Sequence, residues 1–182
     1  LGWCEDAVVS PTQTGQVMKK IQTILAVAAA TVALIPVAAF SATATSTLGV
    51  SATVLTSCIV VTTPVAFGNY DPTSATATNN TGTVVVTCTS GAPYNVLLDQ
   101  GAATGATVTT RKMKDTGTNL LPYTLYSDAA RTVNWGKTIA TDTVTGTGSG
   151  VIQTHTVYGS IPAGAAIPAG VYTDTVNVTV NY

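Results

Sequence analysis

From residue 46 to residue 58 the chain alternates between apolar residues and small or polar residues. Leu48, Val50, Ala52 and Val54 occupy one phase of the alternation, and glycine, serine and threonine occupy the other. Because successive side chains of a strand point to opposite faces, this pattern predicts an extended segment with one apolar face. A single strand is not stable alone, so we expect the segment to pack on a sheet. That sheet belongs either to its own domain or to a second molecule.

The chain after residue 58 shows the same period of two in short stretches separated by turn residues. Threonine makes up about a fifth of the residues, valine is also abundant, and both are β-branched. Short alternating stretches at close spacing predict an all-β sandwich. The predicted strands cover residues 59–67, 83–89, 94–99, 108–114, 120–126, 133–135, 151–158 and 172–182.

The last of these strands has the most regular pattern. Its apolar phase holds Tyr172, Val176, Val178, Val180 and Tyr182, and the opposite phase is threonine and asparagine with no apolar residue. An apolar-faced strand at the end of the sequence leaves a row of backbone N–H and C=O groups that requires a partner. The sequence therefore predicts an additional strand ahead of residue 58 and an unpaired strand edge after residue 172.

A hydrophobic stretch precedes the predicted strands. Residues 18–20, Met-Lys-Lys, are followed by an Ala- and Val-rich run at 21–40 and then by small residues, which is the layout of a secretory signal peptide. The alternative is a transmembrane anchor, since about 20 apolar residues could span a bilayer. Pro36 and the lack of charges directly after the run favour the signal peptide.

The predicted organisation therefore has four parts. Residues 1–17 are expected to be a non-native upstream extension, with translation starting at the methionine that follows, and residues 18–44 to be the signal peptide, cleaved near 41 or 44. Residues 45–57 form the N-terminal strand, and residues 58–182 form one β-sandwich domain of ordinary size.

Charged residues make up only 8% of the chain, against about 25% in a typical soluble protein. After residue 44 there are five Lys and Arg residues, six Asp and no Glu. This composition argues against nucleic-acid binding and against a polybasic contact with lipid, and no membrane span is expected after cleavage. A low surface charge suits a protein that is covered by like subunits. Residues 108–114 hold three of the five basic side chains, which predicts an exposed edge strand there.

Three cysteines occur, of which Cys4 lies ahead of the predicted signal peptide. The remaining pair, Cys58 and Cys88, is expected to form a disulfide because the domain is exported. Closing the loop of about 30 residues between the two cysteines should stabilise the fold by about 3–4 kcal/mol.

Catalytic motifs are scarce. His155 is the only histidine, no nucleophile motif accompanies it, and we expect a strand histidine in a polar environment. The glycine-rich residues 146–150 lack the lysine of a phosphate-binding loop and are predicted to be a hairpin loop. Trp135 and Tyr123 are expected to pack in the core rather than to present a ligand platform. We therefore expect no enzyme activity, no cofactor and no metal site.

A set of motifs occurs in order over almost all of the chain after residue 45, and the set is more specific than any one member. The motifs are VSATVLTSC at 50–58, AFGNY at 66–70, VVVTC at 84–88, PY at 93–94, YTLYSDAAR at 123–131, WG at 135–136 and GVYTDTV at 170–176. Together they resemble the spore coat protein U domain family, which includes the pilins of archaic chaperone–usher pili. The resemblance implies an incomplete immunoglobulin-like β-sandwich that lacks its last strand and is completed by donor-strand exchange.

In such pilins a periplasmic chaperone lends a strand to the open groove of the subunit. An outer-membrane usher then exchanges that strand for the N-terminal strand of the next subunit. The resemblance implies that Cys58 and Cys88 form the family's disulfide. It also implies donor residues Leu48, Val50, Ala52 and Val54, and an acceptor-groove edge strand with Val176, Val178, Val180 and Tyr182.

The function expected on these grounds is that of a structural subunit of an extracellular pilus, or fimbrium, in surface attachment and biofilm formation. The chain would pass through the periplasm to the cell surface, with identical or related subunits, a chaperone and an usher as partners. A spore-coat or surface-coat protein of the same fold is one alternative, and a fimbrial adhesin is another. A self-complemented monomer, with residues 48–54 in its own groove, also fits the sequence.

Overall fold

The computed structural model describes residues 41–182. Residues 50–182 form one compact unit, and residues 41–49 are exposed chain without regular structure. The predicted upstream extension and nearly all of the predicted signal peptide lie outside the described residues.

The described residues form eight β-strands and no helix. This confirms the all-β fold. The strands are β1 (Cys58–Thr63), β2 (Thr78–Cys88), β3 (Pro93–Leu98), β4 (Arg111–Lys114), β5 (Leu120–Tyr126), β6 (Val144–Thr147), β7 (Gln153–Ile161) and β8 (Val178–Asn181).

The strands form two antiparallel sheets. A five-stranded sheet has the order β1-β2-β7-β5-β4, and a three-stranded sheet has the order β6-β3-β8. Strand β8 therefore pairs only with β3, and its other edge faces no strand of the described chain. A sandwich with one sheet open at an edge strand is the incomplete sandwich that the resemblance implied.

Alternation along the central strands builds the core between the sheets. On β2, Val84, Val86 and Cys88 are buried while the residues between them are partly exposed, and β3 buries Tyr94, Val96 and Leu98 in the same way. Strands β5 and β7 contribute further aliphatic side chains to the same core. Cys58 and Cys88 are directly opposite residues of β1 and β2 and form a disulfide, as predicted.

Four strand predictions need correction. Residues 133–135 form no strand and make only one bridge, between Asn134 and Tyr126. The glycine-rich loop begins as strand β6, which packs against β3. Regular pairing with β3 in the last strand is limited to Val178–Asn181, and β1 ends at Thr63 instead of reaching residue 67.

The basic stretch at 108–114 also differs from the prediction. Strand β4 is at the edge of the sheet, as predicted, but Arg111 is fully buried. Its guanidinium donates hydrogen bonds to four backbone carbonyls, and this is how a buried cation is tolerated. The acceptors are the carbonyls of Leu98 at 3.1 Å, Asp99 at 2.8 Å, Val108 at 2.6 Å and Trp135 at 2.7 Å.

Candidate functional site

An open apolar groove of about 900 Å³ lies along the edge of the sandwich. One wall is formed by residues 62–70, after the start of the domain, and the other by residues 167–176, ahead of β8. The floor consists of core side chains that reach the groove between the walls: Val84, Leu98, Leu121, Leu125, Val157 and Ile161.

The first wall packs on two buried glycines of the five-stranded sheet. A Cβ atom on Gly82 would lie 2.9 Å from Val65, and one on Gly159 would lie 2.6 Å from Val65 and 2.7 Å from Phe67. All three distances are far below van der Waals contact, so only glycine leaves room for the wall. The Tyr70 hydroxyl ties the wall to residues 162–165, because it donates to the Pro162 carbonyl at 2.8 Å and accepts from the Ala165 amide at 2.8 Å.

The second wall is an extended chain whose backbone is paired on one side only. Thr173 exchanges two backbone hydrogen bonds with Lys114 of β4, and the Asn177 carbonyl accepts a hydrogen bond from Asp99 after β3. Because N–H and C=O groups alternate sides along a strand, the odd-numbered residues face β4 and β3. The Thr175 amide, between the two bonded residues, donates to the Asp174 carboxylate instead. The even-numbered residues from 172 to 182 therefore direct their N–H and C=O groups to the open edge. These unpaired backbone groups can form hydrogen bonds with one more strand.

Two aspartates fix the second wall in place. The Asp174 carboxylate accepts hydrogen bonds from the Tyr123 hydroxyl at 2.6 Å and from the Ala102 amide at 2.8 Å. The Asp99 carboxylate accepts two more from Asn177, through its backbone N–H at 2.9 Å and its side-chain amide at 2.7 Å. The wall is thus held by side-chain hydrogen bonds where it lacks regular pairing.

Burial and hydrogen bonding shift the pKa values of a tyrosine hydroxyl and an aspartate carboxyl in this network. Burial, together with its hydrogen bond to Asp174, raises the pKa of the Tyr123 hydroxyl, so Tyr123 remains a donor at all physiological pH values. Burial alone would raise the pKa of Asp99, but hydrogen bonds from Gly101 and Asn177 and the charge of Arg111 outweigh it and lower that pKa. Asp99 therefore stays ionised and holds the wall.

The predicted groove residues occupy different positions along this edge. Val176 and Val178 line the groove. Val180 lies on the same face beyond the groove and is half-buried, and Tyr182 is 60% exposed. The groove thus covers the first part of the predicted edge strand and also includes Tyr172 and Asp174.

The predicted donor residues are exposed to solvent. Leu48, Val50 and Val54 are 89%, 88% and 83% exposed, and Ala52 is also exposed. Their apolar face therefore makes no extensive contact in the isolated chain. Exposed alternating aliphatic side chains are unusual in a soluble protein and indicate a binding surface.

Ser57 is where this segment joins the sandwich. Its carbonyl accepts a hydrogen bond from the Thr89 amide at 2.9 Å, and its amide donates to the Thr89 hydroxyl at 3.1 Å. The disulfide between Cys58 and Cys88 follows immediately. Residues 45–56 consequently extend from a firmly anchored point.

The sequence did not indicate several residues that shape the groove. The wall at 62–70 was predicted to be regular strand as far as residue 67, and the glycines under it have no local signature. Asp174 had a usable signal, because it is a polar residue in the apolar phase of an alternating stretch. Such a residue is buried only with partners, and here Tyr123 is one of them.

The remaining candidate side chains are structural. Trp135 is buried and donates from Nε1 to the Val96 carbonyl at 2.9 Å. His155 lies in an aromatic environment rather than the polar one that was predicted: its Nε2 is 2.9 Å from the Tyr94 hydroxyl, and its ring packs edge-on against Tyr94 and Trp135. Tyr123 is buried as predicted.

Two further properties concern the described part of the chain. Among residues 41–182, no group of three or more His, Cys, Asp or Glu side chains is placed to hold a metal ion. The same residues contain no helix that is long and apolar enough to cross a membrane.

The sequence and the fold of this chain are similar to those of known proteins. Protein U of Myxococcus xanthus is 34% identical over 180 residues, which cover 91% of this chain and 100% of that protein. A solved chain of the CsuC–CsuE chaperone–tip adhesion subunit pre-assembly complex, from the archaic chaperone–usher Csu pili of Acinetobacter baumannii, matches with a TM-score of 0.54 and 25% identity. That match covers 71% of this chain but only 40% of the solved chain. The model of the Spore Coat Protein U domain matches residues 44–179, and the chain belongs to this family.

Proposed function

We propose that this protein is a structural subunit of an extracellular chaperone–usher-type pilus and that it polymerises by donor-strand exchange. One observation carries the proposal: an apolar groove with an open backbone edge occurs in the same chain as an exposed, alternating apolar segment. Addition of a strand to such an edge is a general mode of peptide recognition. The family and the fold are those of structural pilus subunits, and the proposal assigns no catalysis to the groove.

Burial of the donor side chains would drive the exchange. Leu48, Val50 and Val54 would each contribute about 1.5–3 kcal/mol on moving from water into the groove. Backbone hydrogen bonds to the open edge would add about 0.5–1.5 kcal/mol each. Because release requires withdrawal of a whole strand, the assembled fibre should also dissociate slowly.

Strand directions favour a neighbour over self-complementation. Asn181 pairs with Asn95, and β3 begins just after the turn that follows Cys88, so β8 runs towards the disulfide end of the sandwich. The segment departs at Ser57, at that same end. To lie antiparallel to the edge strand, it would have to finish near residue 172 instead, roughly 30 Å away at about 3.3 Å per residue. Its own chain could enter the groove only in the less stable parallel direction, and only after a sharp reversal.

A neighbouring copy has no such restriction. Its segment can enter antiparallel, finish near residue 172 and continue directly into its own sandwich. This contact joins different surfaces on the two copies and does not close, so repetition gives a filament. Before assembly the groove needs a temporary strand, and we assign that role to a periplasmic chaperone, with an outer-membrane usher catalysing the exchange. The fibre would lie on the cell surface and serve attachment and biofilm formation.

Deletion of residues 45–56 tests the proposal. The native chain, produced in its source organism, should give a polymer that resists SDS until it is heated. The deletion removes no residue of the sandwich and leaves Ser57 and the disulfide in place, so the protein should accumulate as a folded, unpolymerised subunit. Circular dichroism provides the folding control. A folded deletion variant that still forms SDS-resistant polymer would contradict the proposal.

A coat protein that assembles by the same strand exchange is the second candidate. The observation that favours it is the match to Protein U over its full length within a family described by the spore coat. Immunogold microscopy separates the two functions, because a pilus subunit labels thin surface fibres and a coat protein labels a continuous layer. A fimbrial adhesin is the third candidate, because the solved chain that this chain matches belongs to a chaperone–tip adhesion subunit complex; this chain spans 40% of it.

A further inference from the structure

We propose that the N-terminal segment of one copy, residues 48–54, binds the edge strand of the next copy, residues 172–178. The two strands pair in a single antiparallel register, with Ala52 opposite Asp174. This inference rests on the proposed function and specifies how the groove recognises its occupant. In this register Leu48 lies opposite Val178, Val50 opposite Val176 and Val54 opposite Tyr172.

The open edge limits the possible registers. Even-numbered residues of the edge strand direct both their N–H and C=O groups outward, and their side chains face the groove. In an antiparallel pair, residues that exchange two hydrogen bonds are directly opposite and point to the same face. The even-numbered donor residues, which carry the apolar side chains, must therefore lie opposite even-numbered edge residues. Neighbouring registers differ by two residues.

The length of the groove favours one of these registers. The edge-strand residues that both line the groove and face inward are Tyr172, Asp174, Val176 and Val178, whereas Val180 lies beyond it. The segment offers four inward apolar side chains in a row, at 48, 50, 52 and 54. Placing four side chains against four groove positions gives the proposed register. A shift by two residues in one direction would place Leu48 opposite Val180, outside the groove. A shift in the other direction would place Val54 opposite Gly170, which lines the groove ahead of the edge strand.

The position of Asp174 supports the same register. Its carboxylate is engaged by Tyr123 and Ala102 and forms the polar part of the groove. Ala52 is the smallest of the four donor side chains and would cover this carboxylate with the least apolar surface. A shift by two residues would instead place Val50 or Val54 there, with a larger aliphatic group against a charge.

An independent observation concerns the outer face. Leu55 and Val171 are two exposed aliphatic residues, with 77% and 79% of their surfaces accessible. The proposed register places them directly opposite each other, where a cross-strand pair would cover both. A shift by two residues would place Leu55 opposite Ala169 or Thr173 instead.

The register can be tested by introducing pairs of cysteines on the outer face, because only directly opposite residues can form a disulfide. Ser51 and Thr175 are both exposed, and the proposed register makes them a directly opposite pair without mutual hydrogen bonds. The Cα atoms of such pairs are about 4.5 Å apart, which suits a disulfide, whereas diagonal neighbours at about 7–8 Å do not. We would express three double variants in the source organism in place of the native chain. Ser51→Cys is combined with Thr175→Cys or with Thr173→Cys, and Thr53→Cys is combined with Thr175→Cys, which tests the shift in the other direction.

The expected result is a ladder of covalent multimers from Ser51→Cys/Thr175→Cys on non-reducing gels after heating, which separates subunits that no disulfide joins. The two other variants serve as matched controls and should run mainly as monomers. A ladder from either control in place of the first variant would overturn the register while leaving donor-strand exchange intact. Covalent monomers that migrate faster would indicate self-complementation, and a failure of all three variants to form SDS-resistant polymer before heating would contradict the proposed function itself.

Discussion

Val65 packs directly over Gly159: a Cβ atom on this glycine would lie 2.6 Å from Cγ1 of Val65. The contact joins the first wall of the groove to strand β7, and Phe67 packs over the same glycine. The shape of the groove therefore depends on the missing side chain of a residue that does not itself line it.

Replacing this glycine should disturb the wall. We expect Gly159→Ala to lower the free energy of unfolding by about 1–3 kcal/mol, the usual cost of overpacking a buried site. The wall would also move, so polymerisation should slow even where the subunit stays folded. Urea denaturation measures the first effect, and the rate of polymer formation measures the second.

Gly49→Ala is the matched control for that change. A Cβ atom at this position meets no atom within 4 Å and the residue is exposed, so subunit stability should stay the same. An unchanged unfolding midpoint for Gly159→Ala would show that Val65 and Phe67 can shift freely, and the glycine would then not be required.

The two faces of the N-terminal segment should respond differently to charge. Val50→Asp places a carboxylate on the face that we expect to enter the groove, where burial of an unpaired charge is costly. Ser51→Asp places the same charge on the outer face. We expect the first variant to lose SDS-resistant polymer and the second to retain it. Both residues are exposed in the isolated chain, so thermal unfolding of the two subunits should agree.

Equal loss of polymer in the two variants, with both subunits still exported and folded, would contradict this assignment of faces. The comparison is informative because the added group is identical and the positions are adjacent. A general effect of negative charge on export or solubility would affect both variants alike.

The hydrogen bond from Tyr123 to Asp174 should stabilise the second wall. Tyr123→Phe removes the hydroxyl and leaves the carboxylate with one partner fewer, at an expected cost of about 1–3 kcal/mol in unfolding free energy. Tyr126→Phe, on the same strand β5, is the control, because Tyr126 makes no side-chain hydrogen bond among the described residues. If both variants unfold at the same urea concentration, the hydrogen bond does not hold the wall.

The sequence predicted the parts of this fold that depend on local pattern. Strands β2, β3 and β5 were expected because their buried and exposed residues alternate, and the disulfide was predicted because a domain with two cysteines was expected to be exported. The apolar face of residues 48–54 was predicted for the same reason, and these side chains are exposed, while their role as a donor strand stays a prediction. These features require only the period of two and the chemistry of single residues.

Features that depend on distant partners were not predicted. Arg111 was expected at the surface because arginine is rarely buried, and the carbonyls that surround it come from three separate parts of the chain. Strand β6 was missed because its glycine content suggests a loop, although Gly146 provides room for the Tyr94 ring. The sequence alone does not show that Arg111 lies beside these carbonyls or that Gly146 lies beside Tyr94.

His155 should make the stability of the subunit depend on pH. Burial among Tyr94 and Trp135 lowers its pKa from the usual value of 6.5, because the charged ring loses solvation. Below pH 6.5 the unfolded chain then binds a proton that the folded chain takes up less readily. Proton binding favours the unfolded state, so the free energy of unfolding should fall as pH decreases from about 6.5 towards the folded-state pKa.

Urea denaturation at several pH values between 7.5 and about 5 measures this dependence. Four carboxylates with lowered pKa values do not interfere, since hydrogen bonds hold them below 3.8: Asp71, Asp99, Asp115 and Asp128. His155→Gln is the control, because glutamine can keep a hydrogen bond to the Tyr94 hydroxyl and does not titrate. The variant should show a flat profile over this range. A native profile as flat as that of the variant would mean that the protonated ring is tolerated beside Tyr94, and burial would not set the charge of this histidine.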